Sequence, residues 1–127
     1  MSVEMDSNTC KILKNNVEQY SLDNVDIKCG DYLKLAASLK QDVIFLDPPW
    51  GGKNYKQVSS MDLYMSGENL YSIVKKISVM AKMIVIKIPN NYNITGFYQQ
   101  SSYHKITVYR MNKFSLIALM TKDFNNK

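Results

Sequence analysis

A chain of 127 residues, 46% hydrophobic and with a formal net charge of +5, fits one small domain, residues 1–127, with apolar mass enough for a packed core. No run of residues approaches a membrane span and no apolar signal region opens the chain, so an intracellular protein of nucleus or cytoplasm, without a membrane partner, is expected. The charge is uneven: five Lys/Arg against eight Asp/Glu up to Gly52 leave −3, and eleven against three from Lys53 onward leave +8, which together recover +5. The basic half suits a phosphate backbone. Cys10, Cys29 and the single histidine, His104, lack metal-ligand spacing, so no metal site is expected, and the two cysteines are expected as reduced thiols.

Ser2 to Met5 reads as a short strand that delivers Glu4 to its end. Asp6 or Ser7 can cap a helix over residues 8–19, where Cys10, Leu13, Val17 and Tyr20 recur at helical spacing. Val25 to Lys28 is a second strand, followed by Gly30-Asp31-Tyr32 and a short helix from Leu33 to Leu39. Val43 to Leu46 is a continuous apolar run, the pattern of a strand buried on both faces. Residues 51–67 form a long polar loop, a length that is usually functional or mobile. Leu70, Ile73, Val74 and Ile77 mark a helix, and Met83 to Ile88 is an apolar strand that stops at Pro89. A short helix near Ile94–Gln99 leads to a final hairpin with arms Tyr103–Tyr109 and Phe114–Thr121. Alternating strands and helices ending in a hairpin give an α/β sheet with an antiparallel edge.

The chemistry concentrates at Asp47-Pro48-Pro49-Trp50-Gly51-Gly52. Pro48 and Pro49 lack amide hydrogens and end the strand. What results is a platform at the carboxyl end of a strand, where open α/β sheets bind ligands. It carries a carboxylate, proline carbonyls and one large flat ring. Asp-Pro-Pro-Trp at a strand end resembles the amine-methylating signature of S-adenosylmethionine-dependent methyltransferases. Carbonyls along Asp47-Pro48-Pro49 and the Asp47 carboxylate can accept the hydrogens of an exocyclic amine and aim its lone pair, while Trp50 offers the ring a stacking face.

With Tyr55 following Gly51-Gly52, the longer pattern resembles the trimethylguanosine synthases, which methylate the exocyclic N2 of a 7-methylguanosine RNA cap. The resemblance runs from about Ser2 to about Lys122 and includes Lys14-Asn15-Asn16, Cys29-Gly30-Asp31-Tyr32-Leu33 and Pro89-Asn90-Asn91. It implies a Rossmann-like class I methyltransferase sheet with a C-terminal antiparallel hairpin, in the order 3-2-1-4-5-7-6. Ser2–Met5 is then strand 2 and Val43–Leu46 strand 4. No segment matches strand 1 or its Gly-rich cofactor loop, so the chain is expected to lack the family's N-terminal part. The resemblance assigns S-adenosylmethionine as cofactor, with Glu4 on the ribose, Asp31 on the adenine amine and Tyr32 flanking the ring. It assigns Asp47, Pro48 and Pro49 to catalysis, and Trp50, Tyr55, Lys53 and Asn91 to capped RNA, Asn91 either orienting the base or supporting the loop. One position departs from the family: Ser is common before the two prolines, whereas Asp is commoner in adenine-N6 methyltransferases. Adenine in DNA or RNA is therefore an alternative substrate, and a non-catalytic RNA-binding relic a third reading.

Overall fold

The computed structural model describes residues 1–99 and 103–121; the end of the family resemblance at Lys122 lies outside them. In chain order the elements are β1 (Ser2–Glu4), α1 (Ser7–Gln19), β2 (Ile27–Cys29), α2 (Tyr32–Leu35), β3 (Val43–Leu46), β4 (Tyr64–Met65), β5 (Glu68–Asn69), α3 (Leu70–Ile77), β6 (Met83–Ile88), α4 (Thr95–Gln99), β7 (Lys105–Arg110) and β8 (Ser115–Met120). They fall into two compact units, Met1–Leu39 and Lys40–Lys127.

In the first unit, β1 and β2 pair in parallel with Glu4 opposite Cys29, and α1 makes the crossover between them. Asp6 caps α1 by accepting the Thr9 amide hydrogen at 2.7 Å. That bond holds the Asp6 carboxyl below its ordinary pKa. Cys10, one turn into α1, is fully buried. It is joined to Cys29 at the end of β2 by a disulfide with a Cα–Cα distance of 5.8 Å. The expectation of two reduced thiols is therefore corrected. Their separation of 19 residues shows no pattern in the sequence, yet the packing of α1 against β2 brings the two side chains together.

The second unit holds a four-stranded sheet in the order β3-β6-β8-β7, with β3 and β6 parallel and the other two pairings antiparallel. One face supplies the core. Ile44 and Leu46 of β3, Ile84, Ile86 and Ile88 of β6, and Ile117 and Leu119 of β8 are all buried. So are Leu70, Ile73, Val74 and Ile77, the apolar stripe of α3, and Phe97 of α4. Alternation is strict along β3, and here a second expectation is corrected: Val43 and Phe45 are 55% and 60% exposed, so the strand is buried on one face only. An apolar run does not distinguish a two-faced strand from a one-faced strand whose outer positions are also apolar.

The expected order is recovered in its two parts. The pair β1-β2 corresponds to strands 2 and 3, and β3-β6-β8-β7 reads 4-5-7-6. Among the described residues no strand occupies position 1. The loop expected over residues 51–67 is more structured than its composition suggests. It contains a 3-10 helix at Gly52–Gln57 and ends in the small β4-β5 hairpin. Met61 bridges to Tyr92, which ties the loop to the segment after β6.

Candidate active site

β3 and β6 run side by side with Leu46 opposite Ile86. Both are stopped by proline shortly afterwards, β3 at Pro48 and β6 at Pro89. One step beyond that register Asp47 meets Lys87, and the Lys87 Nζ lies 3.1 Å from Asp47 Oδ2. Pro48 is buried and Pro49 exposed, so the motif is anchored on one side and open on the other. Gly51 and Gly52 both adopt φ +80°, a conformation that a β-carbon disfavours, and the chain turns there into the 3-10 helix. The space around both positions is open, so backbone conformation rather than crowding calls for glycine.

The Trp50 ring is partly exposed. Tyr55 packs edge-on against it, with ring centroids 5.3 Å apart and planes at 73°. Lys87 Nζ lies over Trp50 at 5.5 Å from its centroid and at the same distance from the Phe114 ring. Its ammonium group is thus held by one carboxylate and two aromatic rings. The Trp50 Nε1 hydrogen is buried with no acceptor in the structure.

Asn91 fixes the platform from behind. Its side-chain amide donates to the Tyr55 carbonyl at 2.7 Å and to the Val58 carbonyl at 2.8 Å, and its backbone carbonyl accepts from the Met61 amide. Of the two roles open to Asn91 in the sequence, supporting the loop is the one for which the structure has contacts. Asn90 does the same for the β7–β8 turn. It donates to the Met111 carbonyl at 3.1 Å and accepts from the buried Ser115 hydroxyl at 2.6 Å. Between these two ties is a cavity of about 280 Å³, lined by Tyr55, Lys56, Asn90, Asn91, Asn112 and Lys113. Lys53 is exposed on the 3-10 helix.

Glu4 and Asp31 belong to the first unit, at the carboxyl ends of two adjacent parallel strands. The Gly30 amide donates to the Glu4 carbonyl. Glu4 Oε1 accepts from the Asp6 amide at 2.7 Å, and Asp31 Oδ1 accepts from Leu33 at 3.0 Å and caps α2. Tyr32 is the first residue of α2. Backbone donors thus orient both carboxylates, and acceptors of this type at adjacent strand ends fit the hydroxyls and amine of an adenosine. Among the described residues no group of three or more His, Cys, Asp or Glu could hold a metal ion, and no helix is long and apolar enough to cross a membrane.

A family model described as RNA cap guanine-N2 methyltransferase matches residues 1–126. The chain belongs to this family. Protein L320 of Acanthamoeba polyphaga mimivirus is 28% identical over 123 residues, covering 93% of this chain and 48% of its own length. The chain therefore spans about half of that relative. Among solved structures it resembles the METTL16 MTase domain, with a TM-score of 0.60 at 12% identity over 95% of this chain and 49% of the other. It also resembles the Escherichia coli methyltransferase yhhF, with 0.57 at 10% identity over 94% and 60%. A mutant of MtNAS gives 0.61 at 10% identity over 95% and 43%. At such identities the likeness shows the fold, a Rossmann-like class I methyltransferase fold. Membership of this family implies use of S-adenosylmethionine.

Sequence reasoning missed Lys87. It sits in the apolar run Met83–Ile88, whose pattern reads simply as a strand. The signal was available: one charge in Met83–Ile88, two residues before Pro89, near a proline stop as Asp47 is directly before Pro48 on β3.

Proposed function

We propose that this chain carries the base-binding and amine-positioning part of an enzyme that methylates the exocyclic N2 of 7-methylguanosine RNA caps, with S-adenosylmethionine as methyl donor. The observation that carries this reading is Trp50, braced edge-on by Tyr55 beside the Asp47 carboxylate at the end of β3, in a chain matched by the cap guanine-N2 family over residues 1–126. A purine stacked on Trp50 brings its exocyclic amine toward Asp47 and the carbonyls of Asp47-Pro48-Pro49. Those acceptors take the amine hydrogens, so that the lone pair is free to attack. When bound, S-adenosylmethionine supplies an activated methyl group. Glu4, Asp31 and Tyr32 would hold its adenosine. Asp47 takes the proton released by the amine, or polarises the amine until water takes it. Lys53, Tyr55 and the basic half of the chain support contact with the phosphates of capped RNA.

Adenine-N6 methylation is the second reading, favoured by Asp47 itself, because that residue before two prolines is commoner among adenine enzymes. Methylation assays on a 7-methylguanosine cap analogue and on an adenine-containing oligonucleotide separate the two. Trp50→Ala is expected to abolish cap methylation and leave S-adenosylmethionine affinity nearly intact, since base stacking contributes about 1–3 kcal/mol and mispositioning the amine adds to that loss. An equal loss of cofactor affinity would remove Trp50 as the base platform. Methyl transfer to the oligonucleotide alone would decide for adenine.

A further inference from the structure

The position over the Trp50 face is already taken by a cation of the protein itself. Lys87 Nζ lies 5.5 Å from the centroid of Trp50 and 5.5 Å from that of Phe114, and 3.1 Å from Asp47 Oδ2. A carboxylate with two aromatic rings is a cage for a positive charge, because ring quadrupoles and the carboxylate both attract it. A purine alkylated at N7 is a cationic ring, whereas an unmodified guanine or adenine is neutral. The contacts that hold the ammonium are thus the contacts that such a purine would use and a neutral one would use less well.

We propose that Lys87 is the resident cation of the Asp47–Trp50–Phe114 cage, that a cationic N7-alkylated purine binds by exchanging with it, and that this exchange sets the preference for a charged over a neutral base. The inference rests on the reading of Trp50 as the base platform. Two features make the exchange feasible. The ion pair is accessible to solvent, with side chains 32% exposed for Lys87 and 50% for Asp47, so it is weakly held and readily broken. The lysine stem is flexible, and its ammonium can swing into water while the stem remains on the sheet. Lys87 is therefore a specificity residue that acts through competition. While it is in place, Asp47 is neutralised and one face of Trp50 is covered. Once it is displaced, both are presented to the incoming ring, and a neutral ring recovers only the stacking part of what the ammonium gave up.

Trp50 is the single tryptophan of the chain, so its emission reports on this cage alone. The test titrates the 127-residue chain with 7-methylguanosine monophosphate, guanosine monophosphate and adenosine monophosphate, following Trp50 quenching. It compares the parent with Lys87→Gln, which removes the charge but stays polar, and Lys87→Arg, which keeps it. A thermal melt of each variant reports folding. Lys87→Gln is expected to bind the methylated nucleotide roughly three- to thirtyfold more tightly than the parent, the loss of one exposed ion pair and one cation–π competitor, with a smaller gain for the unmethylated nucleotides. Lys87→Arg is expected to stay near the parent. A folded Lys87→Gln that binds the methylated nucleotide equally or more weakly overturns the exchange, as does an equal gain for all three nucleotides. If no nucleotide quenches Trp50 in the folded parent or in either variant, the base-platform reading falls, and the exchange with it.

Discussion

Asn91 gives a quantitative handle on how the platform is held. Its side-chain amide donates two short hydrogen bonds to the carbonyls of Tyr55 and Val58, and Tyr55 in turn braces Trp50. Each neutral hydrogen bond contributes about 0.5–1.5 kcal/mol net, so Asn91→Ala should loosen the loop by roughly 1–3 kcal/mol. A change of that size raises the population of the open loop about 5- to 150-fold. Asn91→Asp should do more with almost no change in shape, because it sets a carboxylate oxygen against two carbonyl oxygens in place of two N–H donors. The loss is local. The buried core of the second unit does not depend on this side chain, so the thermal midpoint should move little. Hydrogen exchange resolved by peptide is the assay. The peptide spanning Gly52–Gln57 should exchange faster in both variants, most of all in Asn91→Asp, while Met83–Ile88 keeps its protection. Trp50 emission should shift in parallel. Loop exchange equal to that of the parent in both variants would refute the brace, and equal acceleration across the whole second unit would show that Asn91 supports the fold and not the loop.

Two further predictions concern the aromatic cluster and its surroundings. A β-carbon built on Gly96 would lie 2.7 Å from Tyr71 Cζ and 2.8 Å from Cε1, and the Tyr71 ring is itself wedged against Phe97 and Tyr92. Gly96→Ala should therefore cost about 1–3 kcal/mol as overpacking, and an unchanged melting midpoint would contradict that. Burial raises the Tyr71 and Tyr92 phenols above their ordinary pKa and pushes Tyr103 up to about 12. A folded pKa raised above the unfolded value near 10 makes a contribution that is complete below pH 10 and is lost as pH climbs through the folded values. Stability should decline above pH 10. In an absorbance titration of the nine tyrosines, a subset should ionise only as the chain unfolds. Nine phenols titrating together near pH 10 in a folded chain would contradict this.

Most of the elements were legible in the sequence because each leaves a local mark; the 3-10 helix at Gly52–Gln57 and the β4-β5 hairpin leave none and lie in what reads as a polar loop. Prolines end β3 and β6, Asp6 caps α1, and the stripe Leu70, Ile73, Val74, Ile77 has the period of a helix and is buried as one. The candidate site residues Asp47 and Trp50 were visible for the same reason, as an uncommon string at a strand end. What was not legible depends on which strands are neighbours. The Asp47–Lys87 pair spans 40 residues and exists only because β3 and β6 pair in one register. The Cys10–Cys29 bond depends on the docking of a helix on a strand. The exposure of Val43 and Phe45 depends on what covers a sheet face, and hydrophobicity alone does not say that. For Asn91 the sequence left two roles open, and which carbonyls its amide donates to is a tertiary fact.

Lys87 has a second consequence, for the chain before it folds. Met83–Ile88 is Met-Ile-Val-Ile-Lys-Ile, four β-branched residues and a methionine interrupted by a single charge. In the folded protein this strand is paired on both sides, by β3 and by β8, and cannot template another chain. In an emerging or unfolded polypeptide it is the kind of segment that stacks into cross-β aggregates, and one charge in such a window is a common way of preventing it. The ammonium that occupies the cage is therefore also the gatekeeper of this strand. An apolar residue at position 87 would open the cage and remove that protection in the same step, whereas a neutral polar residue separates the two effects.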